Sequence, residues 1–200
     1  MSEASFGFGQ RVTKATGGEV VNIADIEALK VFFRAPGALE RFGESPKTLV
    51  VLAAGTYDFT NEPFPAIEIR RKNLTITAND ADVVVFKNFQ LAIDLALSDN
   101  ILIENLNFRS DGLPSHPRDG IKTLDNSEIK RVRGTSVSQT PVTPASLSLR
   151  ITHCSFDGYF DIAIDSSVKS KPRPRLLATI DHCLFFDSRP GQPTTRVEQG

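Results

Sequence analysis

The chain has 200 residues, of which 40% are hydrophobic, and this suits about one domain with a continuous apolar core. The 23 Lys and Arg residues nearly balance the 24 Asp and Glu residues, so the formal net charge of -1 argues against a nucleic-acid-binding surface spread over the protein. No apolar run is long enough to cross a membrane, and Met1 to Gln10 lacks the charged start and apolar stretch of a signal peptide.

The first predicted element is a short helix within residues 23–33. Apolar residues recur there at helical spacing, at Ile26, Leu29 and Phe32 or Phe33. Asp25 stands before them and is predicted to cap the helix. Such a helix would cover the first coil of a repeat fold, whose open edge would otherwise expose unpaired strand groups. We therefore treat 1–46 as an N-terminal segment with a capping helix.

From Lys47 onward the pattern changes to short apolar or β-branched segments separated by Gly, Asn, Asp or Pro. The predicted strands are Thr48 to Leu52, Ala66 to Ile69, Leu74 to Thr77, Val83 to Phe86, Leu91 to Leu97, Ile101 to Phe108, Leu147 to Phe156 and Leu176 to Phe186. A doubly wound sheet would need a helix after almost every strand, so the composition of elements predicts an all-β fold.

Three of these segments form an internal repeat. Each has Ile, then Leu or Cys, then Phe, at offsets 0, 3 and 5, and the members begin at Ile103, Ile151 and Ile180. The step from the first member to the second is much longer than the step from the second to the third, and we interpret the two steps as two coils and one coil of a solenoid. Stacked coils would place equivalent side chains in columns, which an antiparallel sandwich would not produce. The repeat predicts one parallel β-helix domain over 1–200, with coils in 47–200.

Two further features follow from the repeat. Cys154 and Cys183 occupy the same repeat position, and we favour two buried thiols over a disulfide, which would need suitable backbone geometry. His153 and His182 each precede a Cys, but adjacent strand residues point to opposite sides, so a shared zinc site is not expected. We expect the imidazoles to hydrogen-bond in a polar column above Asn105.

Long loops are predicted at 113–117, 135–146 and 169–175, and loops of this kind often build binding surfaces. The last is strongly basic and is interpreted either as a solvated loop or as a wall that faces a polyanion.

The order of several landmarks resembles that of the pectate lyases. The landmarks are Gly7-Phe8-Gly9, Thr13, Gly17-Gly18, Val20-Val21, Lys72 to Ile76, Asn100 to Phe108, Asp119-Gly120-Ile121 and Ile151 to Phe156. The resemblance covers nearly the whole chain. It implies a right-handed parallel β-helix, secretion, and calcium-dependent cleavage of polygalacturonate by β-elimination.

The resemblance also implies a calcium site. Asp157 and Asp161 match the acidic positions of the family's acid-Gly-x-x-Asp segment, and Asp119 matches the ligand from the preceding coil. Pro117 stands where the family often has a further acid, which points to a weaker or water-completed site.

The catalytic base implied by the resemblance is an arginine. The family carries Arg-x-Pro-x-x-Arg, whereas this chain has Arg189 two positions early, Gly191 at the expected first position and Arg196 at the last. In a second alignment Phe186 to Arg189 belong to an earlier coil, where the family has a Lys that binds the substrate carboxylate, and the chain stops before the catalytic motif. Both alignments stay open, with Arg189 and Arg196 as the candidates.

Three functional hypotheses result. The first is a monomeric, secreted, calcium-dependent pectate lyase that acts on polygalacturonate or a related acidic polysaccharide, without a nucleic-acid or membrane partner. The second is a β-helix that binds polysaccharide or forms a structural shaft without cleavage, which Gly191 favours. The third is an enzyme truncated at its C-terminus.

Overall fold

The computed structural model describes residues 18–34, 47–62, 66–79, 83–94, 98–113, 119–124, 146–158, 162–165 and 175–186. These residues form one helix, α1 (Ile26–Arg34), and fifteen strands. The strands are β1 (Glu19–Ile23), β2 (Thr48–Leu52), β3 (Gly55–Asp58), β4 (Ala66–Ile69), β5 (Lys72–Ala78), β6 (Val84–Lys87), β7 (Gln90–Asp94), β8 (Asp99–Glu104), β9 (Asn107–Ser110), β10 (Asp119–Leu124), β11 (Ser146–Thr152), β12 (Ser155–Gly158), β13 (Ile162–Asp165), β14 (Arg175–Asp181) and β15 (Leu184–Phe186).

All pairings between these strands are parallel, and they form three sheets. The six-stranded sheet has the order β1-β2-β5-β8-β11-β14, the five-stranded sheet β15-β12-β9-β6-β3, and the four-stranded sheet β13-β10-β7-β4. From β2 onward the chain visits the six-, five- and four-stranded sheets in turn. We call each such set a coil: β2 to β4 form coil 1, β5 to β7 coil 2, β8 to β10 coil 3, and β11 to β13 coil 4, while β14 and β15 belong to coil 5. The prediction of an all-β parallel fold is confirmed.

The predicted N-terminal helix is present and begins where expected. The backbone N–H of Ala28 donates to Asp25 Oδ1 at 2.8 Å, which satisfies a helix N-terminal donor as an N-cap does. Leu29 and Phe33 are buried, and α1 packs against β1 and β4. The strand β1, which the sequence analysis does not predict, pairs with β2 at the edge of the six-stranded sheet. Together β1 and α1 contact all three strands of coil 1, since the hydroxyl of Tyr57 in β3 donates to the carbonyl of Ile23 in β1 at 3.0 Å.

The predicted side-chain columns are confirmed. Ile103, Ile151 and Ile180 are register partners on β8, β11 and β14. The rings of Phe108 and Phe156 stack at 4.9 Å with 7° between their planes, and those of Phe156 and Phe185 stack at 5.2 Å with 9°. The aromatic column continues to Phe86 and Tyr57, at 5.6 and 5.4 Å. Parallel pairing without a stagger thus brings equivalent residues of successive coils into contact.

The step from Ile103 to Ile151 spans one coil, and the prediction of two coils is wrong. Strand β8 pairs directly with β11, so Ile103 and Ile151 lie in adjacent coils, and the long step between them is one coil rather than two. The steps from Ile76 to Ile103 and from Ile151 to Ile180 are much shorter, and each of them is also one coil. Coil 3 is longer because the segments 111–118 and 125–145 flank β10 in sequence.

Three predicted strands are each two strands in the structure. The segments that begin near 101, 147 and 176 are divided at Asn105, His153 and His182, whose φ angles are 58°, 52° and 51°. One residue in this left-handed conformation turns the chain from the six-stranded to the five-stranded sheet. The residue after it, which is Leu106 in coil 3 and Cys154 in coil 4, is buried at the corner. The predicted strands also omit β1, β3, β10 and β13.

The aromatic column generates a prediction about stability. Phe156 is fully buried and Phe186, next to Phe185, is 51% exposed. We expect Phe156→Ala to lower the free energy of unfolding by about 3 to 5 kcal/mol, because it leaves a cavity between two stacked rings. Phe186→Ala is the matched control and should cost less than about 1 kcal/mol. Chemical denaturation of the three proteins measures both values, and equal losses would contradict the column.

The left-handed corner generates a second prediction. His153→Asn and His153→Val both remove the imidazole, but Asn tolerates a positive φ, whereas the β-branched Val does not. We expect the Val variant to be about 1 to 2 kcal/mol less stable than the Asn variant. The comparison cancels the loss of the ring, so equal unfolding free energies would mean that the corner conformation carries no constraint.

Candidate functional site

Asp119 is the first residue of β10, in the four-stranded sheet of coil 3. Its side chain is 18% exposed, and its Oδ2 lies 3.2 Å from Nζ of Lys122 in a salt bridge. The backbone carbonyl of Asp119 accepts a hydrogen bond from Gln90 Nε2 at 3.3 Å, which ties it to the preceding coil. Its register partner in coil 4 is Ile162, the first residue of β13. This carboxylate is therefore placed at the entrance to the four-stranded sheet, with a cation beside it.

Asp157 lies in a different sheet from Asp119. It is the third residue of β12, in the five-stranded sheet of coil 4, rather than in a turn after a strand. Its register partners are Arg109 in coil 3 and Phe186 in coil 5. Gly158 ends the strand with a φ of 105°, and a Cβ there would clash with the carbonyl oxygen of Ser110. The close approach explains why glycine follows Asp157.

The remaining predicted site residues, Asp161, Arg189 and Arg196, lie outside the described residues. Within the part of the chain that the structure describes, no group of three or more His, Cys, Asp or Glu side chains is arranged to hold a metal ion. The structure does place Asp119 and Asp157 in successive coils, in the order that the sequence analysis predicts. Whether they share a calcium site stays a prediction.

An outward row of charges crosses the five-stranded sheet. Its register partners are Asp58, Lys87, Arg109 and Asp157, from coil 1 to coil 4. Nζ of Lys87 lies 3.3 Å from Asp58 Oδ2 and 3.0 Å from Asp111 Oδ2. The hydrogen bond to Asp111, with a second to Asp58, raises the pKa of Lys87 above its ordinary value. The row thus has an acid at each end and two basic residues between them, and Lys87 links coil 1 to coil 2 through its salt bridge with Asp58.

Asp111 follows the row residue Arg109 by two positions and is held by hydrogen bonds with Asn88 and by the salt bridge with Lys87. Asn88, which has a φ of 53°, donates from Nδ2 to Asp111 Oδ2 at 3.2 Å and accepts from the Asp111 backbone N–H at 2.8 Å. Partial burial acts to raise the pKa of Asp111, but hydrogen bonds from Lys87 and Asn88 outweigh it and lower that pKa. This carboxylate therefore stays charged over a wide pH range.

A second polar network was not predicted and lies on the six-stranded sheet, between coils 4 and 5. Arg150 donates from Nε to Asp181 Oδ2 at 2.9 Å and from Nη2 to Oδ1 at 3.3 Å, a two-pronged ion pair. The hydroxyl of Thr152 also donates to Asp181. Ile151 and Ile180 are register partners. Arg150 directly precedes Ile151, and Asp181 directly follows Ile180, so the ion pair runs diagonally between β11 and β14. A basic residue before one repeat Ile and an acidic residue after the next is the sequence signal that could have identified this ion pair.

The two corner imidazoles extend this network. The rings of His153 and His182 stack at 4.8 Å with 1° between their planes. Nδ1 of His182 lies 3.1 Å from Asp181 Oδ1, and Nδ1 of His153 lies 3.0 Å from the Thr152 hydroxyl. The prediction of hydrogen-bonded corner imidazoles is confirmed. Parallel rings direct their in-plane lone pairs along parallel lines, so this geometry does not converge on one metal ion.

The network shifts the titration of Asp181. Burial acts to raise its pKa, but hydrogen bonds from Arg150, Thr152 and His182 outweigh that effect and lower the pKa to about 2. The folded protein therefore favours the carboxylate form more strongly than the unfolded chain does.

No family model matches the chain, and comparisons with curated proteins and with solved structures find no match either. Among the described residues, no helix has the length and apolar character that a membrane span requires. Function can therefore be inferred only from the residues and their arrangement.

The depressed pKa of Asp181 generates a prediction about acid stability. A carboxyl with a lowered folded-state pKa stabilises the protein above its unfolded pKa, and this contribution is lost as the pH falls through the folded value. The lowering from 3.8 to about 2 corresponds to about 2 kcal/mol. We expect the stability difference between wild type and Asp181→Asn to shrink by about that amount from pH 5 to pH 2. Denaturant titrations at several pH values measure it, and a constant difference would contradict the assignment.

Proposed function

We propose that this chain is a right-handed parallel β-helix and a calcium-dependent lyase that cleaves polygalacturonate or a related acidic polysaccharide by β-elimination. The three parallel sheets, visited in a fixed order by successive coils, support the β-helix part of the proposal. Secretion and a monomeric state belong to the same proposal, as expected of an enzyme whose substrate is an extracellular polymer.

The observation that carries the proposal is the register between β10 and β13. Asp119 pairs with Ile162, and Asp161 directly precedes Ile162 in sequence. Asp157 stands shortly before Asp161, near the end of β12. Asp157 therefore lies near the end of a strand in the five-stranded sheet, Asp119 lies at the start of a strand in the four-stranded sheet of the adjacent coil, and Asp161 stands between β12 and β13 in sequence. Calcium prefers oxygen ligands such as carboxylates.

In this β-elimination the acidic residues and an arginine would have separate roles. Asp119, Asp157 and Asp161 would hold calcium, and its charge, when it is bound, would offset that of the uronate carboxylate and make the neighbouring C5 proton more acidic. Asp119, Asp157 and Asp161 would orient the sugar through that carboxylate. Arg189 or Arg196 would take the C5 proton, the C4–C5 double bond would form as the glycosidic C4–O bond breaks, and the leaving sugar oxygen would take up a proton from water.

A second candidate function is polysaccharide binding without cleavage, by a complete or a truncated β-helix. It is favoured by the salt bridge from Lys122 to Asp119, at 3.2 Å, and by the register position of Arg109 beside Asp157. A carboxylate already paired with a cation gains less from calcium, because the ion must displace the cation. Gly191, at the position of the family's first arginine, also favours this candidate.

The experiment that tests the lyase proposal is ultraviolet absorbance with polygalacturonate as substrate. We expect an unsaturated product to form with calcium and to stop forming after a chelator is added. Asp119→Asn should lower turnover by at least about tenfold, through the lost oxygen charge. Asp111→Asn is the matched control, since it also removes a carboxylate that pairs with a lysine, and it should leave turnover unchanged.

Thermal unfolding with and without calcium separates the two candidates. For a lyase, calcium should raise Tm by mass action, and Asp161→Asn should weaken that rise. Arg189→Ala or Arg196→Ala should then abolish turnover while the calcium response persists, because base and metal act separately. Polysaccharide binding with no unsaturated product at any calcium level would leave only the second candidate.

A further inference from the structure

Cys154 and Cys183 occupy one position in two successive coils. Each follows a left-handed histidine at the corner between the six- and five-stranded sheets. Both are free cysteines; Cys154 is 2% exposed, whereas Cys183 is only half-buried. The prediction of two buried thiols thus holds for Cys154 and not for Cys183. Neither thiol has a part in the proposed lyase chemistry.

The two side chains point in the same direction. Sγ of Cys154 donates to the carbonyls of Thr152 and Ile103, at 3.4 and 3.8 Å. Sγ of Cys183 makes the equivalent contacts one coil later, to Asp181 and Ile151, at 3.2 and 3.7 Å. The backbone is in register here, because the N–H of Leu184 donates to the Cys154 carbonyl at 2.9 Å.

This arrangement is compatible with a covalent bond. Equivalent residues on neighbouring parallel strands have Cα atoms about 4.8 Å apart, within the range of about 4.4 to 6.8 Å that disulfides span. The equivalent hydrogen bonds of the two thiols place the sulfur atoms at the same position in adjacent coils. A disulfide requires both side chains to rotate toward each other from these positions.

The two thiols are chemically unequal, because Cys183 is the more exposed. Interaction with the Cys154 thiol favours a thiolate on Cys183 and lowers the pKa of Cys183, against the opposing effect of partial burial. Interaction with Cys183, together with burial, raises the pKa of Cys154. The thiolate is the nucleophilic form, so the more exposed sulfur is also the more reactive one.

We propose that Cys183 and Cys154 form a dithiol that hydroperoxides oxidise to a disulfide, with Cys183 as the attacking thiol and Cys154 as the resolving thiol. The inference rests on the equivalent positions of the two thiols in adjacent coils and on their unequal exposure, and it is independent of the lyase proposal.

The reaction balances in two steps. The Cys183 thiolate attacks one peroxide oxygen, the S–O bond forms as the O–O bond breaks, and the leaving alkoxide or hydroxide takes up a proton. The sulfur of Cys154 then attacks the Cys183 sulfur of the sulfenic acid, and the S–S bond forms as the S–O bond breaks. The Cys154 proton and the hydroxyl leave as water. The two sulfurs lose two electrons, and the hydroperoxide gains them.

The disulfide would join coil 4 to coil 5 by a covalent bond next to the corner between two sheets. The bond closes the whole segment from Cys154 to Cys183, which is long enough for a crosslink to restrict the unfolded chain appreciably. The oxidised protein is therefore expected to have a higher Tm than the reduced protein.

The test uses the full chain, reduced and then treated with hydrogen peroxide at low protein concentration. After denaturation and alkylation with N-ethylmaleimide, we expect two labels before oxidation and none after it, with an intact mass lower by about 2 Da. A reductant should restore both labels. Chain unfolded in guanidinium is the comparison, and it should form the disulfide at least about tenfold more slowly, because folding holds the two cysteines side by side in adjacent coils.

Two single variants assign the roles of the thiols. Cys154→Ala should leave Cys183 to form a sulfenic acid that dimedone traps, whereas Cys183→Ala should leave a buried thiol that reacts at least about tenfold more slowly. Two labels after full peroxide treatment, a gain of oxygen without loss of labels, or a disulfide between chains on a non-reducing gel would each overturn the proposal.

Discussion

The structure depends on in-register parallel pairing between the equivalent strands of successive coils. Because each strand pairs with the strand one coil away, the same repeat position recurs directly beside itself in each sheet. This places Phe108 and Phe156 in a stacked contact with 7° between their rings, and it aligns Ile103 with Ile151. A coil has little apolar interior of its own, so much of its stability comes from the neighbouring coils. Truncation of one side chain in a column therefore removes contacts with both neighbouring coils.

The corners decide where each sheet begins. Asn105, His153 and His182 adopt φ angles between 51° and 58° at the corner between the six- and five-stranded sheets. Asn73 and Asn100 adopt 55° and 54° at the starts of β5 and β8. These residues tolerate the left-handed conformation better than most, and their polar side chains also bond across coils, as in the 2.8 Å hydrogen bond from Asn100 Nδ2 to Asn73 Oδ1. The corner conformation thus places the imidazole stack on the outside and the cysteine that follows on the inside. The proposed dithiol is a consequence of the same geometry.

The outward faces carry the charges, and pairing between coils largely determines how they act. Lys87 joins Asp58 to Asp111, and Arg150 holds Asp181, in each case across a coil boundary. Asp119 bonds to Lys122 within its own strand. The pairs between coils help to hold neighbouring coils together. A metal ion that binds one of these carboxylates must also displace the basic side chain already paired with it. The calcium proposal therefore depends on the register of β10 with β13 more than on the charge of any one acid.

The sequence by itself determined the all-β class, the N-terminal helix with Asp25 at its cap, and the columns of Ile and Phe, because burial follows local periodicity and equivalent residues must face the same interior. The offsets 0 and 3 also break the two-residue alternation of a strand, and this break was the available signal for the corners at Asn105 and its equivalents. For the candidate site, the sequence supplied the acids and their order along the chain, and Asp161, Arg189 and Arg196 lie outside the described residues. Only the tertiary structure decided that the long step from Ile103 to Ile151 is a single coil, that Asp119 carries Lys122, and that Arg150 meets Asp181. The physical reason is that the apolar pattern of the strands does not specify how long the connections between them are. Contacts between outward side chains depend on which strands become neighbours, and this in turn depends on those connections.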